Sequence, residues 1–91
     1  MPIPKLPKPA QAVPLKVVLA YQMKKYRAKL GCSQEELSYL AGIHRAAVGH
    51  IENGRRNVTL ETLEALAGAL QVAPNKLLEL PAELKQQQKS E

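Results

Sequence analysis

Apolar residues recur at three- and four-residue intervals over most of the chain, which is the spacing of one face of an α-helix. After Pro14 this apolar stripe consists of Leu15, Leu19, Met23, Tyr26 and Leu30. Gly31 follows, and it predicts the end of a first helix because glycine adopts the left-handed conformation of a helix terminus without strain. The pattern therefore predicts a first helix with one buried face.

Two short helices are predicted next. Ser33 and Glu36 have the spacing of a capping box, in which each side chain bonds the backbone amide of the other residue. The second helix is expected to end at Gly42 and to bury Leu37, Leu40 and Ala41. A third helix is predicted over residues 44–53, followed by a turn at Gly54.

The second half of the domain shows two more helical stripes. Thr59 and Thr62 suit the start of a fourth helix, whose apolar stripe is Leu60, Leu63, Leu66, Ala67 and Leu70. Pro74 suits the first turn of a short fifth helix through residue 80, and Pro81 ends it. These elements predict an all-α fold class, a compact five-helix domain over residues 15–81.

The two ends of the chain have a different composition. Residues 1–14 contain five of the seven prolines, together with Lys5 and Lys8. Such a segment lacks amide donors and favours extended backbone, so we predict a flexible Pro/Lys-rich arm. Residues 82–91 are rich in glutamine and lysine, and they are interpreted as a polar C-terminal tail.

Composition and charge narrow the function classes. Hydrophobic residues make up 45% of the sequence and Phe and Trp are absent, so the core must be aliphatic. The net charge is +5, and residues 1–56 hold ten basic residues against three glutamates. The remaining residues hold three lysines against five glutamates. This asymmetry indicates a polyanionic partner for the basic end.

Several classes of site find no support in the residues. Cys32 is the single cysteine, so no internal disulfide forms, and its expected role is that of a small buried hydrophobe. His44 and His50 lie on different faces of one helix and do not make a metal pair. The sequence holds no Asp and no nucleophile with a base and an orienting group, so we expect no enzyme, no cofactor and no metal.

The predicted second and third helices, joined by a tight glycine turn, have the geometry of a helix-turn-helix. At 100° per residue, the third helix turns Ala47, Val48 and Ile51 inward. The outward arc holds Arg45, Ala46, Gly49 and His50. Arg45 is suited to bond guanine O6 and N7 in the major groove of DNA, and His50 a base edge or a phosphate. The two small residues permit close approach to the bases.

The chain also resembles a known family. The residues that carry the resemblance are Gly31 to Leu37, Ala41-Gly42-Ile43 and Ile51-Glu52-Asn53-Gly54, which are similar to the Cro/C1-type (XRE) helix-turn-helix regulators. The resemblance covers roughly residues 19–80. It implies a lambda-repressor-like five-helix domain that binds double-stranded DNA as a homodimer. Residues 54–60, with Leu63 after them, further resemble the small controller proteins of restriction–modification systems.

The resemblance implies a set of functional residues. The family's DNA contacts correspond here to Gln34, Arg45, Ala46, His50, Asn53 and the Arg55-Arg56 loop. Phosphate contacts are expected from the start of the second helix and from the loop after the third, at Ser33, Gln34, Asn53, Arg55 and Arg56. The family fold also implies an ion pair between Arg27 and Glu52, largely buried and structural in role.

The leucines at the C-terminal end allow two interpretations. Leu77, Leu78, Leu80 and Leu84 exceed what so small a domain needs for its own core. They belong either to the core and a frayed end or to a symmetric dimer interface, and we favour the interface. Such a dimer sets two recognition helices about 34 Å apart.

The sequence therefore predicts a homodimeric transcriptional regulator that binds an inverted-repeat operator. No apolar run approaches the roughly 20 residues that span a bilayer, so no membrane partner is expected and the location is cytoplasmic, on the nucleoid. The alternative is an interaction module that uses the same fold to bind a protein partner. Sequence-specific binding to duplex DNA distinguishes a regulator from such a module.

Overall fold

The computed structural model of the protein describes residues 13–88. Within these residues the fold is all-α and contains no strand, as the sequence predicts. The helices are α1 (Leu15–Leu30), α2 (Gln34–Ala41), α3 (Arg45–Glu52), α4 (Leu60–Leu70), a 3₁₀ helix (Pro74–Leu78) and α5 (Ala82–Gln88). None of the described helices is both long and apolar enough to cross a membrane.

Local signals set bounds of α1, α2 and α4. α1 ends at Gly31, whose φ of 64° is left-handed and whose amide bonds the Ala28 carbonyl at 3.1 Å. α2 ends in the same way at Gly42. α4 begins at Thr59, whose hydroxyl oxygen accepts a hydrogen bond from the Thr62 amide at 3.0 Å. These signals depend only on neighbouring residues, which is why the sequence predicts them closely.

The C-terminal end differs from the prediction. The expected fifth helix is a 3₁₀ helix, and α5 follows it in the stretch that was interpreted as a polar tail. The reason lies in Pro81, whose carbonyl oxygen accepts hydrogen bonds from the amides of Leu84 at 3.0 Å and Lys85 at 3.1 Å. Pro81 therefore opens a helix here, because a proline at a helix start needs no amide donor. Residues 89–91 of the predicted tail lie outside the described residues.

The main core lies between α1, α2, α3, α4 and the 3₁₀ helix. Its side chains are aliphatic, as the composition requires: Leu19, Met23, Leu37, Val48, Ile51, Leu63, Leu66, Ala67, Leu70 and Leu77. Gln22 on α1 is buried with them, and its Nε2 donates a hydrogen bond of 2.6 Å to the Glu79 carbonyl. This bond ties α1 to the segment between the 3₁₀ helix and α5.

A second, smaller cluster joins the two ends of the described chain. It consists of Val13, Val18 and Leu84, with Tyr21 and Leu80 half-buried against it. Val13 was assigned to the flexible arm, and the structure instead buries it beneath α5. The rest of the predicted arm, residues 1–12, lies outside the described residues.

Four leucines of the predicted apolar stripes are exposed. Leu15 and Leu30 lie at the two ends of α1, Leu40 near the end of α2, and Leu60 at the start of α4. Their burial was predicted wrongly. The neighbouring elements cover only the middle of each helix, so apolar residues near the helix ends remain exposed. The buried positions of α1 are centred on Val18, Leu19, Gln22 and Met23.

Candidate nucleic-acid interface

α3 presents one face to the core and the other to solvent. Val48 and Ile51 are buried, and they hold the helix against α1 and α2. The opposite face exposes Arg45, Ala46 and His50, with the half-exposed Gly49 between them. A side chain at Gly49 would meet nothing within 4 Å of its Cβ, so packing within the chain does not require this glycine.

α3 begins without a side-chain cap. His44 occupies the N-cap position, and its side chain makes no capping hydrogen bond. Its carbonyl oxygen accepts the Val48 amide at 3.1 Å, so the helix begins through backbone bonds alone. Gly54, at a φ of 71°, turns the chain after the helix. The turn carries Arg55, whose amide bonds the His50 carbonyl at 3.2 Å.

The start of α2 is closed by the predicted capping box. The Ser33 hydroxyl oxygen accepts the Glu36 amide at 3.0 Å, and the Glu36 carboxylate accepts the Ser33 amide at 2.8 Å. The structure thus gives the Ser33 hydroxyl a partner within the chain. Gln34 also has one, because its Nε2 donates a 2.9 Å hydrogen bond to Glu52 Oε1.

Arg27 and Glu52 form an ion pair that joins α1 to α3. Arg27 Nε lies 2.8 Å from Glu52 Oε2, and Nη2 lies 3.0 Å from Oε1. The Glu52 side chain is 3% exposed and that of Arg27 is 23% exposed, so only the acid is fully buried. The hydrogen bond to the carboxylate raises the pKa of the Arg27 guanidinium above its ordinary value.

The same guanidinium also binds the turn before α2. Arg27 Nη1 donates a 3.0 Å hydrogen bond to the Cys32 carbonyl, while Gln34 reaches Glu52 from the first turn of α2. One cluster, consisting of Arg27, Glu52 and Gln34, therefore connects three helices. It fixes the angle between α2 and α3, on which any helix-turn-helix contact with a groove depends.

Burial of Glu52 changes the charge of the outward surface. Glu52 is the only acidic residue of α3, and its carboxylate faces Arg27 instead of solvent. The ionisable side chains that α3 exposes are therefore Arg45 and His50. Asn53, Arg55 and Arg56 continue this exposed surface past the helix end. The arrangement suits a negatively charged partner with hydrogen-bond acceptors.

Two residues missed by the sequence analysis lie beside this surface. Lys16 lines one recess together with Arg56, and Lys24 lines another together with Asn53 and Gly54. Both lysines lie on α1, far from the loop in sequence. Their spacing of about two turns on α1 is the sequence signal from which their common side of the helix could have been predicted.

The four leucines proposed for a dimer interface divide into two groups. Leu77 is fully enclosed in the main core, and Leu84 is buried against Val13 and Val18. Assigning these two to an interface was wrong, because their surface is already covered within the chain. Leu78 and Leu80 are only half-buried.

Other exposed apolar residues form two recesses. Leu60, 79% exposed, lies beside Leu15 and Leu78 around a recess of about 280 Å³. Tyr39, 85% exposed, lies with Leu40 at a separate recess of about 570 Å³. The first recess adjoins the loop that follows α3, and the second lies on the side of α2 and the end of α4.

Cys32 is half-buried against the core. Burial raises the pKa of its thiol, and the nearby Glu36 carboxylate raises it further. Its thiol donates a weak hydrogen bond of 3.4 Å to the Ser33 carbonyl. Among residues 13–88, no group of three or more His, Cys, Asp or Glu side chains is placed to hold a metal ion.

Comparison with known proteins identifies relatives of the same architecture. Residues 23–77 match the family HTH_3, described as helix-turn-helix. The control protein C.SmaI of Serratia marcescens is 44% identical over 64 residues, which cover 70% of this chain and 76% of that protein. The resemblance to restriction–modification controller proteins seen in residues 54–60 is thereby confirmed.

Comparison with solved structures identifies the same kind of relative. The crystal structure of the hypothetical transcription factor NHTF from Neisseria superposes with a TM-score of 0.74 at 40% identity, covering 91% of this chain and 99% of that chain. The restriction-modification controller protein C.AhdI from Aeromonas hydrophila gives a TM-score of 0.66 at 39% identity, covering 68% of this chain and 94% of that one. The chain therefore belongs to the HTH_3 helix-turn-helix family, whose members are DNA-binding transcription regulators and not enzymes.

Proposed function

We propose that the chain binds an inverted-repeat operator in double-stranded DNA as a homodimer, with α3 of each copy in the major groove. The observation that carries the proposal is the exposed face of α3. It offers Arg45 and His50 to solvent and no carboxylate, because Glu52 is buried against Arg27. An α-helix fits the width of the major groove, where each base pair presents a distinct pattern of donors and acceptors.

Base readout is assigned mainly to Arg45. It is the first residue of α3, where a recognition helix lies nearest the base edges, and its planar guanidinium can bond O6 and N7 of one guanine. Ala46 beside it has the size and polarity to contact a thymine methyl group. His50, one turn later, is assigned to a base edge or a phosphate.

Gly49 is assigned to close approach. The Cβ position at Gly49 is open, so an alanine would fit the free protein and would favour the helix by about 1 kcal/mol. A glycine in the middle of an eight-residue helix therefore has no benefit for folding. Its benefit lies in the complex, where the missing side chain lets the α3 backbone approach the floor of the groove.

Phosphate contacts are assigned to both sides of α3. Asn53, Arg55 and Arg56 are exposed after its C-terminal end. On the other side, Ser33 and Gln34 open α2, and backbone amides at a helix start attract an anion. Since Gln34 donates to Glu52 in the free protein, its contact with phosphate requires that this bond be shared or exchanged. Contacts of this kind set the register of the protein on the duplex.

The dimer interface is assigned to the recess around Leu15, Leu60 and Leu78. Leu60 exposes most of its surface although it opens an otherwise well-packed helix. The recess adjoins the loop after α3, so a two-fold axis there places the two recognition helices on one side of the dimer. This face replaces the interface predicted at Leu77 and Leu84, and Leu78 is common to both.

The regulator would act on the nucleoid.

Selection of bound duplexes from a random pool tests the proposal. An inverted repeat with half-sites about one helical turn apart is expected, preferred over scrambled duplex by about a thousandfold or more. Arg45→Ala should lower affinity for the selected site while leaving scrambled duplex nearly unchanged, and Arg56→Ala should lower both. Enrichment of no sequence, with only salt-dependent binding, would instead support an interaction module with a protein partner.

A further inference from the structure

α1 lies directly against the turn that follows α3. A Cβ at Gly54 would lie 3.8 Å from the Lys16 carbonyl oxygen and 3.9 Å from the Val17 Cα. The turn that carries Arg55 and Arg56 therefore runs beside the N-terminal half of α1. Side chains of α1 near this contact therefore share a surface with the loop.

A lysine of α1 lies on each side of that contact. Lys16 lines the recess of about 280 Å³ that also contains Arg56, the same recess whose leucines are proposed to form the dimer interface, so its phosphate contact would lie beside the partner copy. Lys24 lines a neighbouring recess of about 260 Å³ with Asn53 and Gly54. Both lysines are exposed, as are the two arginines.

The charges at these two recesses are not compensated. Glu52 is the only carboxylate that lines either one, and its oxygens already bond Arg27 and Gln34. Within residues 13–88, neither Lys16 nor Lys24 has a carboxylate within ion-pair distance. Like charges gathered on one surface repel each other, and an external anion relieves the repulsion.

The other two lysines of α1 have different surroundings. Lys25 Nζ lies 5.7 Å and Lys29 Nζ 5.4 Å from the centre of the Tyr26 ring, so both make cation–π contacts on another side of the helix. A backbone hydrogen bond and the Tyr21 hydroxyl lower the pKa of the Glu83 carboxyl, and the charge of nearby Lys25 lowers it further. Lysines of one helix thus divide into a pair beside the α3 turn and a pair away from it.

We infer that Lys16 and Lys24 bind phosphates of the duplex and extend the DNA interface from the helix-turn-helix onto α1. The inference rests on the proposed function and adds a second element to its phosphate contacts. Together with Arg55 and Arg56, the two lysines make a track of four cations around Gly54. Phosphates lie along a duplex strand at regular spacing, and a strand that follows this track would contact both lysines. They add affinity without reading sequence.

Salt titration of full-length variants tests the inference. Affinities of Lys16→Gln and Lys24→Gln for the selected duplex and for its scrambled form are measured over a series of salt concentrations. Each substitution should reduce the slope of log affinity against log salt by about 0.9 and weaken both duplexes equally. Lys25→Gln and Lys29→Gln remove the same charge from the same helix, and their slopes should stay at the wild-type value.

The outcomes separate the inference from the proposed function. A wild-type protein that prefers no duplex refutes the proposed function. A wild-type protein that is sequence-specific, but whose four lysine variants have equal slopes, overturns the inference alone. Lys24→Arg should keep the wild-type slope because it retains the cation. Urea midpoints and sedimentation of all variants should match the wild type, since these side chains are exposed. A change in slope then reports phosphate binding and not the loss of the dimer whose proposed interface Lys16 adjoins.

Discussion

Replacement of Glu52 by alanine should be among the most damaging single substitutions in the helix-turn-helix. The carboxylate accepts three hydrogen bonds, two from Arg27 at 2.8 and 3.0 Å and one from Gln34 at 2.9 Å. Removal leaves the guanidinium without its counter-ion and the amide without its acceptor. Both donors lie at the junction of α1, α2 and α3, where partly buried groups have limited access to water.

The magnitude follows from the unequal burial of the two partners. Breaking a buried ion pair costs about 3–5 kcal/mol, because the remaining charge stays buried without a partner. Arg27 keeps 23% of its side chain exposed, so water partly solvates the cation that remains. The cost should therefore be about 3 kcal/mol, at the low end of that range. For a domain of this size, such a loss lowers the melting temperature by about 12–24 °C.

Urea unfolding followed by circular dichroism at the helix band measures the loss. Glu79→Ala is the matched control, because its carboxylate lies 3.9 Å from Lys76 with both side chains well exposed, and its loss should stay below about 1 kcal/mol. Arg27→Met combined with Glu52→Leu should recover most of the lost stability, since neither charge is then stranded. A loss below about 1 kcal/mol for Glu52→Ala would refute the reasoning, because such a value is that of a surface pair.

Further substitutions test the remaining assignments. Gly49→Ala should raise stability by about 0.5–1 kcal/mol and weaken binding to the selected duplex, whereas Gly68→Ala, with an equally open Cβ position on α4, should raise stability alone. Leu60→Gln should convert the dimer to a monomer in sedimentation, and Leu40→Gln should leave the dimer intact; equal behaviour of the two would remove the interface from the Leu60 recess. Iodoacetamide should alkylate Cys32 more slowly in the folded protein than in urea at neutral pH, and the folded rate should rise as the pH approaches the raised pKa of the thiol. A folded rate equal to that in urea would show that burial does not protect this thiol.

The helices of the DNA-binding half follow from local sequence. Ser33 and Glu36 cap each other three residues apart, and Gly31 and Gly42 take left-handed backbone without help from the rest of the fold. α5, in contrast, cannot be predicted from local sequence. Its one buried leucine finds its partner at Val13, at the opposite end of the described chain, and a local pattern carries no information on that contact.

The residues of the candidate site also divide into those that local sequence predicts and those that it does not predict. Periodicity places Arg45 and His50 on the outward face of α3, because a helix turns a fixed angle per residue. The bond between Gln34 and Glu52 and the position of Lys24 beside Gly54 depend on how α1 and α2 cross α3. Helix crossing is set by side-chain packing over the whole core, so these features become visible only in the folded protein.

The cluster around Arg27 has a thermodynamic consequence for recognition. Its hydrogen bonds hold α2 and α3 in one orientation before any duplex arrives, so the protein loses little conformational entropy on association. A preorganised reader of this kind adjusts its own shape very little, so in the proposed complex the duplex must supply the bending and twisting that fit the two half-sites. We then expect base pairs at the centre of the proposed operator to be selected by how easily they deform, with flexible pyrimidine–purine steps favoured there without a side chain touching them.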